Sequence, residues 1–125
     1  RTALEGTHLQ FFKSLQRMVL TDKYILVHAG IDPLRTLEGQ RDESLMWIRE
    51  EFLFGKHVQQ RTVVFGHTPF TDILDERVSR KLGIDTGLVY GGKLSCVELL
   101  SGEVLQVGRD RSAVETLMLP PVEEG

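Results

Sequence analysis

The stretch VVFGHTPF, residues 63–70, decides how the chain is to be interpreted. A short apolar run ends on Gly66 and is followed at once by His67 and a turn-forming pair. The stretch YILVHAGID, residues 24–32, repeats this order with His28 after its own apolar run. Both runs are rich in strand formers and predict strands covered on both faces, each ending at a histidine.

The composition predicts one ordinary globular domain and excludes several classes of protein. The chain has 125 residues, of which 41% are hydrophobic and 26% charged, with a net charge of −3. No apolar run approaches the roughly 20 residues that cross a bilayer, so we expect no membrane partner. The basic residues form no dense patch, which argues against nucleic acid as a partner. A single cysteine, Cys96, fits a reducing compartment, and we expect a cytoplasmic location.

The remaining pattern predicts an α/β chain without internal repeats. Thr7 and Gln10 form a capping-box pattern before the helical spacing of Leu9, Phe12 and Leu15. A second helix is predicted over DESLMWIREEFL, residues 42–53, with Asp42 as its N-cap. From residue 77 onward the pattern becomes strand-like, with a hairpin turn at Ser101-Gly102. We expect residues 1–108 to form the folded part and residues 109–125 to form a loose polar tail with a short apolar segment at 114–119.

A single histidine at a strand end is more often a core or surface residue than a ligand. Two such histidines favour a metal site, because ligands collect beyond the carboxyl ends of strands in α/β folds. Two imidazoles are nevertheless too few for a catalytic centre, which has about three protein ligands per zinc-type ion and carboxylates as well in a two-metal site. Asp32 and Asp85 are candidates, but neither has convincing spacing. The predicted site is incomplete.

Four segments, YILVHAGI, MWIREEFL, VVFGHTPF and IDTGLVYGGKLSCVEL, occur in an order that resembles the serine/threonine protein phosphatases of the calcineurin-like metallophosphoesterase superfamily, above all the bacterial and phage-type members. The resemblance runs from about Leu9 to Val107. It implies part of a metallophosphoesterase fold, with two packed mixed sheets flanked by helices. The motifs GDxHG, GDxxDRG and GNHE that begin this family are absent, so the resemblance implies the C-terminal half of the domain without its N-terminal half.

The resemblance assigns roles to three residues. His28 and His67 match histidines that complete the shell of the second of two divalent ions, for which Mn²⁺ is the first choice and Fe or Zn²⁺ the alternatives. Arg49, in WIRE, matches the arginine that holds the substrate phosphate, a task suited to its planar fork. Without the resemblance, Arg49 beside two glutamates would be interpreted as a helix-surface residue. The catalytic acid that protonates the leaving group has no counterpart in this chain.

The segment GIDTGLVYGG allows two interpretations. Asp85 caps its own backbone in a glycine-rich turn, or Asp85 and Thr86 orient a histidine ligand from behind at the rim of the site. Tyr90 reaches toward the substrate or packs beside the glycines. The other candidates receive structural roles: we expect His8 and His57 to be exposed and Cys96 to be a small core residue. The predicted aromatic core comprises Phe11, Phe12, Trp47, Phe52 and Phe54.

The function predicted from these features is a metal-dependent phosphoprotein phosphatase that hydrolyses a phosphomonoester with a metal-bridged hydroxide. Its partner would be a phosphorylated protein or peptide. A dinucleoside polyphosphate hydrolase of the same superfamily is the alternative; its members tend to carry a tryptophan after the second Gly-His, where this chain has Thr68. A second alternative is a non-catalytic scaffold module. We expect these 125 residues alone to be inactive.

Overall fold

The computed structural model describes residues 5–110 and 113–122. These residues form an α/β arrangement with two sheets and few helices, as the sequence predicted. The helices are α1 (Gly6–Ser14), α2 (Asp42–Trp47) and α3 (Glu50–Leu53). The strands are β1 (Met18–Leu20), β2 (Tyr24–Val27), β3 (Thr62–Phe65), β4 (Leu74–Glu76), β5 (Lys81–Gly83), β6 (Lys93–Val97), β7 (Glu103–Gly108) and β8 (Glu115–Met118). Two 3-10 turns lie at Arg77–Ser79 and Leu88–Tyr90.

The first sheet positions the two predicted strand ends side by side. Its order is β1-β2-β3-β5-β4, with β2, β3 and β5 parallel and both edge strands antiparallel. Ile25 pairs with Val63, and Val63 pairs with Lys81 on the other side. Because the three parallel strands end at the same edge of the sheet, the residues that follow them meet there.

The core lies between this sheet and the segment that carries α2 and α3. Its buried apolar residues are Ile25, Ile31, Leu45, Phe52, Val63 and Phe65. Phe52 is fully buried and meets Phe65 edge to face, with ring centroids 4.9 Å apart. Burial of one such aromatic side chain stabilises the fold by roughly 1.5–3 kcal/mol. Phe52 therefore anchors α3 to the sheet.

The helix predicted over residues 42–53 is two short helices. The Ile48 amide still bonds to the Ser44 carbonyl, but Ile48 itself is extended, with φ −60° and ψ 144°. The break turns the chain so that α3 starts in a new direction while Leu45 and Phe52 both remain buried. A regular helix would fix the direction of Arg49 by its spacing; the break frees that residue to point elsewhere.

The N-terminal helix forms where predicted, but its predicted cap and buried face do not. Glu5 is the N-cap and makes no side-chain cap bond, while Thr7 lies inside the first turn. Leu9, Phe12 and Leu15 are 42%, 53% and 47% exposed. The helical spacing was correct, yet no residue of α1 is buried within the part of the chain that the structure describes.

The second sheet is antiparallel, in the order β6-β7-β8. The Ser101-Gly102 turn joins β6 to β7 as predicted, with Gly102 at φ 80° and its amide bonded to the Glu98 carbonyl. The tail that was predicted to be loose from residue 109 contains β8, which pairs with β7 from Gln106↔Glu115 to Glu103↔Met118. This strand falls within the short apolar segment predicted at 114–119, although all four of its residues are exposed. Residues 111–112 and 123–125 of the tail lie outside the described residues.

Several burial predictions were wrong. Cys96 is exposed on the outer face of β6, and four of the predicted core aromatics are more than half exposed: Phe11, Phe12, Trp47 and Phe54. Phe52 alone of the five is buried. His57, predicted to be exposed, is only 6% exposed because it packs on Phe52 and bonds to the Arg80 carbonyl. Among the described residues, no helix is long and apolar enough to cross a membrane.

Candidate functional site

The structure brings His28 and His67 together at the carboxyl edge of the first sheet. His28 directly follows β2, and His67 follows β3 after Gly66. Their ring centroids are 5.0 Å apart, and the rings are inclined by 54°. The Gly66 amide donates to the His28 carbonyl at 2.8 Å, which ties the two strand ends to each other. Parallel pairing of β2 and β3 thus brings together two histidines that are 39 positions apart in sequence.

His67 has an unusual backbone conformation. Its φ is 68°, one of only two positive values among the described non-glycine residues. The Thr68 amide donates to the Gly66 carbonyl at 2.7 Å, so a three-residue turn closes around His67. Such conformations cost of order 1–3 kcal/mol and are concentrated at functional sites. The turn redirects the imidazole away from the strand and toward His28.

Arg49 contacts the same imidazole. Its Nε donates to His67 Nε2 at 3.2 Å, so Nε2 is an acceptor and His67 is neutral. The pKa of His67 is lowered, first by burial and then by electrostatic interaction with Arg49 and with His28. Neutral imidazole is the form that binds metal. The break between α2 and α3 is what allows this arginine, 18 residues away in sequence, to reach the strand end.

Trp47 is a site residue that the sequence prediction assigned to the core. Its ring meets His67 edge to face at 5.7 Å, and a hydrogen bond to the Trp47 backbone raises the pKa of His67 against the larger lowering effects. The indole is 70% exposed. In the sequence, only the position of Trp47 two residues before Arg49 pointed to a role at the site. The exposure of the indole could not be derived from helical spacing.

The two histidines and Arg49 line one open cleft of about 630 Å³. Its opposite wall is the loop predicted to form the rim of the site, together with the start of β6. The Tyr90 side chain stands at the mouth, 82% exposed. The lining residues that the sequence prediction missed include Leu88, Val89, Lys93 and Ser95. Lys93 adds a second cation to the cleft, although its ammonium is bonded to Glu115 at 2.6 Å.

Asp85 and Thr86 lie in the cleft wall, but neither bonds to a histidine. Asp85 Oδ1 accepts a hydrogen bond from the Gly87 amide at 3.0 Å, which is the capped turn that the sequence allowed. Its negative charge acts on His67 only weakly. The buried Thr86 hydroxyl donates to the Lys93 carbonyl and lies 2.6 Å from Ser95 Oγ. Both residues fix the wall of the cleft against β6.

The imidazole pair has a separation suited to one shared ion. A metal–nitrogen distance of about 2.0–2.1 Å places each ring centroid roughly 3.2 Å from a common ion, so two bound rings have centroids about 4.5–5.3 Å apart. The observed 5.0 Å lies within that range. Among the described residues, no three His, Cys, Asp or Glu side chains come together as a metal-binding group. The pair fits part of a metal shell and lacks the rest.

Comparison with known proteins supports the fold at low sequence identity. No protein-family model matches the sequence, and no curated protein matches it. A solved structure described as a "putative diadenosine tetraphosphatase" matches with a TM-score of 0.62 at 17% identity. The match covers 93% of this chain and 56% of that chain, so this chain spans just over half of the other's length.

This likeness confirms the prediction of an α/β chain that represents part of a metallophosphoesterase-like fold. At this identity it is a statement about the fold. The roles of His28, His67 and Arg49 rest on their geometry in the cleft and remain predictions.

Proposed function

We propose that this chain contributes the carboxy-terminal side of the active site in a metal-dependent phosphoester hydrolase, and that its substrate is a phosphorylated serine or threonine in a protein. One observation carries the proposal. The neutral His67 imidazole lies 5.0 Å from the His28 ring and accepts a hydrogen bond from the Arg49 guanidinium, all within one open cleft. A pair of imidazoles able to bind metal beside a cation able to bind phosphate is a combination that suits metal-assisted phosphate hydrolysis.

Each residue has a distinct task in this proposal. His28 and His67 hold one divalent ion, with Mn²⁺ as the first choice, and further ligands come from outside the described residues. Bound metal ions would supply an activated water and offset the charge of the phosphate. Arg49 binds two phosphoryl oxygens through its planar fork and balances the charge that develops on them. No residue of the cleft is assigned as the acid for the leaving group.

Arg49 must exchange partners for both tasks to proceed. Its Nε now occupies the lone pair of His67 Nε2. Metal binding through that nitrogen requires the lone pair to be free. Arg49 would then be released toward the centre of the cleft, where a phosphate would lie. The hydrogen bond therefore holds the arginine close to its working position and keeps the imidazole in one tautomer.

A dinucleoside polyphosphate hydrolase is the second candidate, favoured by the name of the structural neighbour. Two features of this chain favour the phosphoprotein instead. Thr68 follows His67 where relatives with polyphosphate substrates tend to have a tryptophan. A second groove, which Trp47 also lines, contains Asp32, Glu43 and Glu51 against the cation of Lys56. Its excess of carboxylates would disfavour a long polyphosphate. A phosphopeptide carries only one phosphate group to the site.

The first experiment tests the metal pair in the chain itself. Adding Zn²⁺ or Mn²⁺ should perturb the imidazole NMR signals of His28 and His67 together, and His28→Ala should abolish the response at both positions. The exposed His8 serves as the matched control through His8→Ala, which should leave the response intact. Independent responses of the two rings, or none, would favour the non-catalytic scaffold.

The second experiment separates the substrates. The protein is supplied with Mn²⁺ in its full-length form, and phosphate release is measured from a phosphoserine peptide and from diadenosine tetraphosphate at equal concentrations. We expect preferential hydrolysis of the peptide and a loss of at least about tenfold in kcat/KM for Arg49→Lys, since the planar fork is lost. Preference for the dinucleotide would transfer the assignment to the second candidate.

A further inference from the structure

Lys81 is buried to an extent that is rare for lysine. The residue is only 4% exposed, and its ammonium lies 5.2 Å from the centre of the Phe52 ring. Burial lowers the pKa of Lys81, and the Glu76 carboxylate on the neighbouring strand acts against this. Lysine is almost never fully buried without partners. The partners of Lys81 are therefore the feature that requires an explanation.

The ammonium binds the carboxyl end of α3. Lys81 Nζ donates to the Leu53 carbonyl at 3.0 Å and to the Gly55 carbonyl at 2.6 Å. The last carbonyls of a helix lack partners within the helix and carry partial negative charge, so a cation is stabilised there. A Cβ at Gly55 would overlap the Glu51 carbonyl, so the chain can pass this close only with glycine. The loop is built around the lysine.

The other end of α3 begins at Arg49. The helix is a single turn, and the Arg49 carbonyl accepts hydrogen bonds from the Phe52 and Leu53 amides at 3.1 and 2.8 Å. Leu53 thus bonds to Arg49 through its amide and to Lys81 through its carbonyl. One turn of helix is too short to be stable by its own hydrogen bonds. Its position depends on what it is attached to.

The backbone of Lys81 pairs with β3, the strand that precedes His67. Lys81 pairs in parallel register with Val63 on β3, which ends at Phe65 two residues before His67. Hydrogen bonds, together with the Leu53 backbone and the Lys81 side chain, therefore connect the backbone of Arg49 to the strand that precedes His67. The hydrogen bond from Arg49 Nε to His67 Nε2, at 3.2 Å, then connects the side chain of Arg49 back to the same strand end.

We propose that Lys81 is a positioning residue for Arg49: its two bonds to the carboxyl end of α3 hold the start of the helix where the guanidinium meets His67 and the substrate phosphate. The part of this inference that concerns phosphate rests on the proposed function. The part that concerns the Arg49–His67 contact does not. Lys81 itself touches neither the cleft nor any substrate.

The test compares Lys81→Met with two controls. Methionine keeps most of the length and volume of the side chain but donates no hydrogen bond. Lys23→Met makes the same chemical change at an exposed site. Val104→Ala weakens the second sheet at a fully buried position that lies outside α3. The readouts are the NMR signals of the Arg49 Nε–H and the His67 imidazole, followed by titration with inorganic phosphate.

In Lys81→Met, the Arg49 Nε–H should lose its hydrogen-bonded shift and its protection from exchange, and phosphate affinity should fall by about threefold to tenfold. Both controls should match the wild type, including Val104→Ala at equal or greater loss of stability. An unchanged Arg49 signal in Lys81→Met overturns the inference. If that variant does not fold, Lys81→Leu replaces it, because leucine also donates no hydrogen bond; an unchanged Arg49 signal there is equally decisive.

The two proposals can fail separately. If the wild-type chain binds no phosphate while Lys81→Met still disrupts the Arg49–His67 contact, the positioning role stands and the proposed function loses its phosphate-binding residue. If phosphate binds at Arg49 in the wild type and equally well in Lys81→Met, the function stands and the positioning role is wrong.

Discussion

The hydrogen bond between Arg49 and His67 predicts that the arginine competes with metal. Arg49 Nε occupies His67 Nε2, the nitrogen that a metal ion would need, at 3.2 Å. Removing the side chain in Arg49→Ala frees this lone pair and removes a positive charge from beside the incoming cation. Both effects should strengthen metal binding by the imidazole pair. The prediction is opposite in sign to that expected if Arg49 only stabilised the site.

The expected gain in metal affinity is the sum of two contributions, the hydrogen bond that is lost and the charge repulsion that is relieved. Breaking an exposed hydrogen bond of this kind costs the metal about 0.5–1.5 kcal/mol. A guanidinium roughly 5 Å from a unit charge repels it by about 0.8 kcal/mol in a water-like dielectric, with more for a divalent ion and less in salt. A total of about 1–2 kcal/mol corresponds to an affinity gain of about fivefold to thirtyfold.

Isothermal titration calorimetry of the chain with Zn²⁺ measures this directly. Arg49→Lys separates the terms, because lysine keeps the positive charge but cannot offer the same planar Nε–H; it should recover only part of the gain. Arg41→Ala removes an exposed arginine that does not line the cleft and should leave the affinity within twofold. Weaker or unchanged Zn²⁺ binding by Arg49→Ala would refute the competition and, with it, the assignment of His67 Nε2 as the metal-binding atom.

Three further predictions concern the scaffold around the cleft. Burial lowers the pKa of His57 below the 6.5 of the unfolded chain, so the unfolded state binds more protons as pH falls below 6.5. The free energy of unfolding should therefore drop, by at most about 1.4 kcal/mol per pH unit from this group. Urea titrations should show a flatter pH profile for His57→Gln. Gly30→Ala should destabilise the fold by about 2 kcal/mol or more, because the φ of Gly30 is 150° and a Cβ there would overlap the Phe52 ring. The control is Gly6→Ala, where the space is open; it should change the stability by less than about 1 kcal/mol. Thr86→Val should cost about 1–3 kcal/mol, because the Lys93 carbonyl loses this donor and Ser95 Oγ keeps only its hydrogen bond from Gln106. Thr86→Ser should retain most of the stability; equal losses in both variants would show that the methyl group, not the hydroxyl, matters.

The sequence was sufficient to predict what depends on short-range pattern. Two apolar runs predicted β2 and β3, and because parallel strands end at a common edge, the meeting of His28 and His67 followed from the chain order. The hairpin at Ser101-Gly102 was equally local. These features depend on residue types within a few positions of one another, where propensity and periodicity are informative.

The features that the sequence could not supply are those decided by tertiary contacts. Nothing in DESLMWIREEFL predicts that the helix breaks at Ile48, because no proline or glycine marks the point. The break is stabilised by partners far away in sequence: Phe65 under Phe52, and Lys81 at the end of α3. His57 and Lys81 look like surface residues in their local sequence. Both can be buried because backbone carbonyls from other segments accept hydrogen bonds from them.

The same reasoning explains why the arginine is more informative than the histidines. The pairing of β2 with β3 places the two histidines at the same edge of the sheet, so much of their proximity follows from topology. The contact of Arg49 with His67 occurs together with a broken helix, a buried lysine on the next strand and a left-handed turn at φ 68°. Each of these is unfavourable in isolation, since burial of an ammonium and a positive φ at a non-glycine residue both cost free energy. A fold that needed only a stable core would gain by replacing them with an unbroken helix and an apolar residue at position 81. Under the proposed role of Lys81, this combination around one guanidinium maintains the position of Arg49 rather than the stability of the sheet.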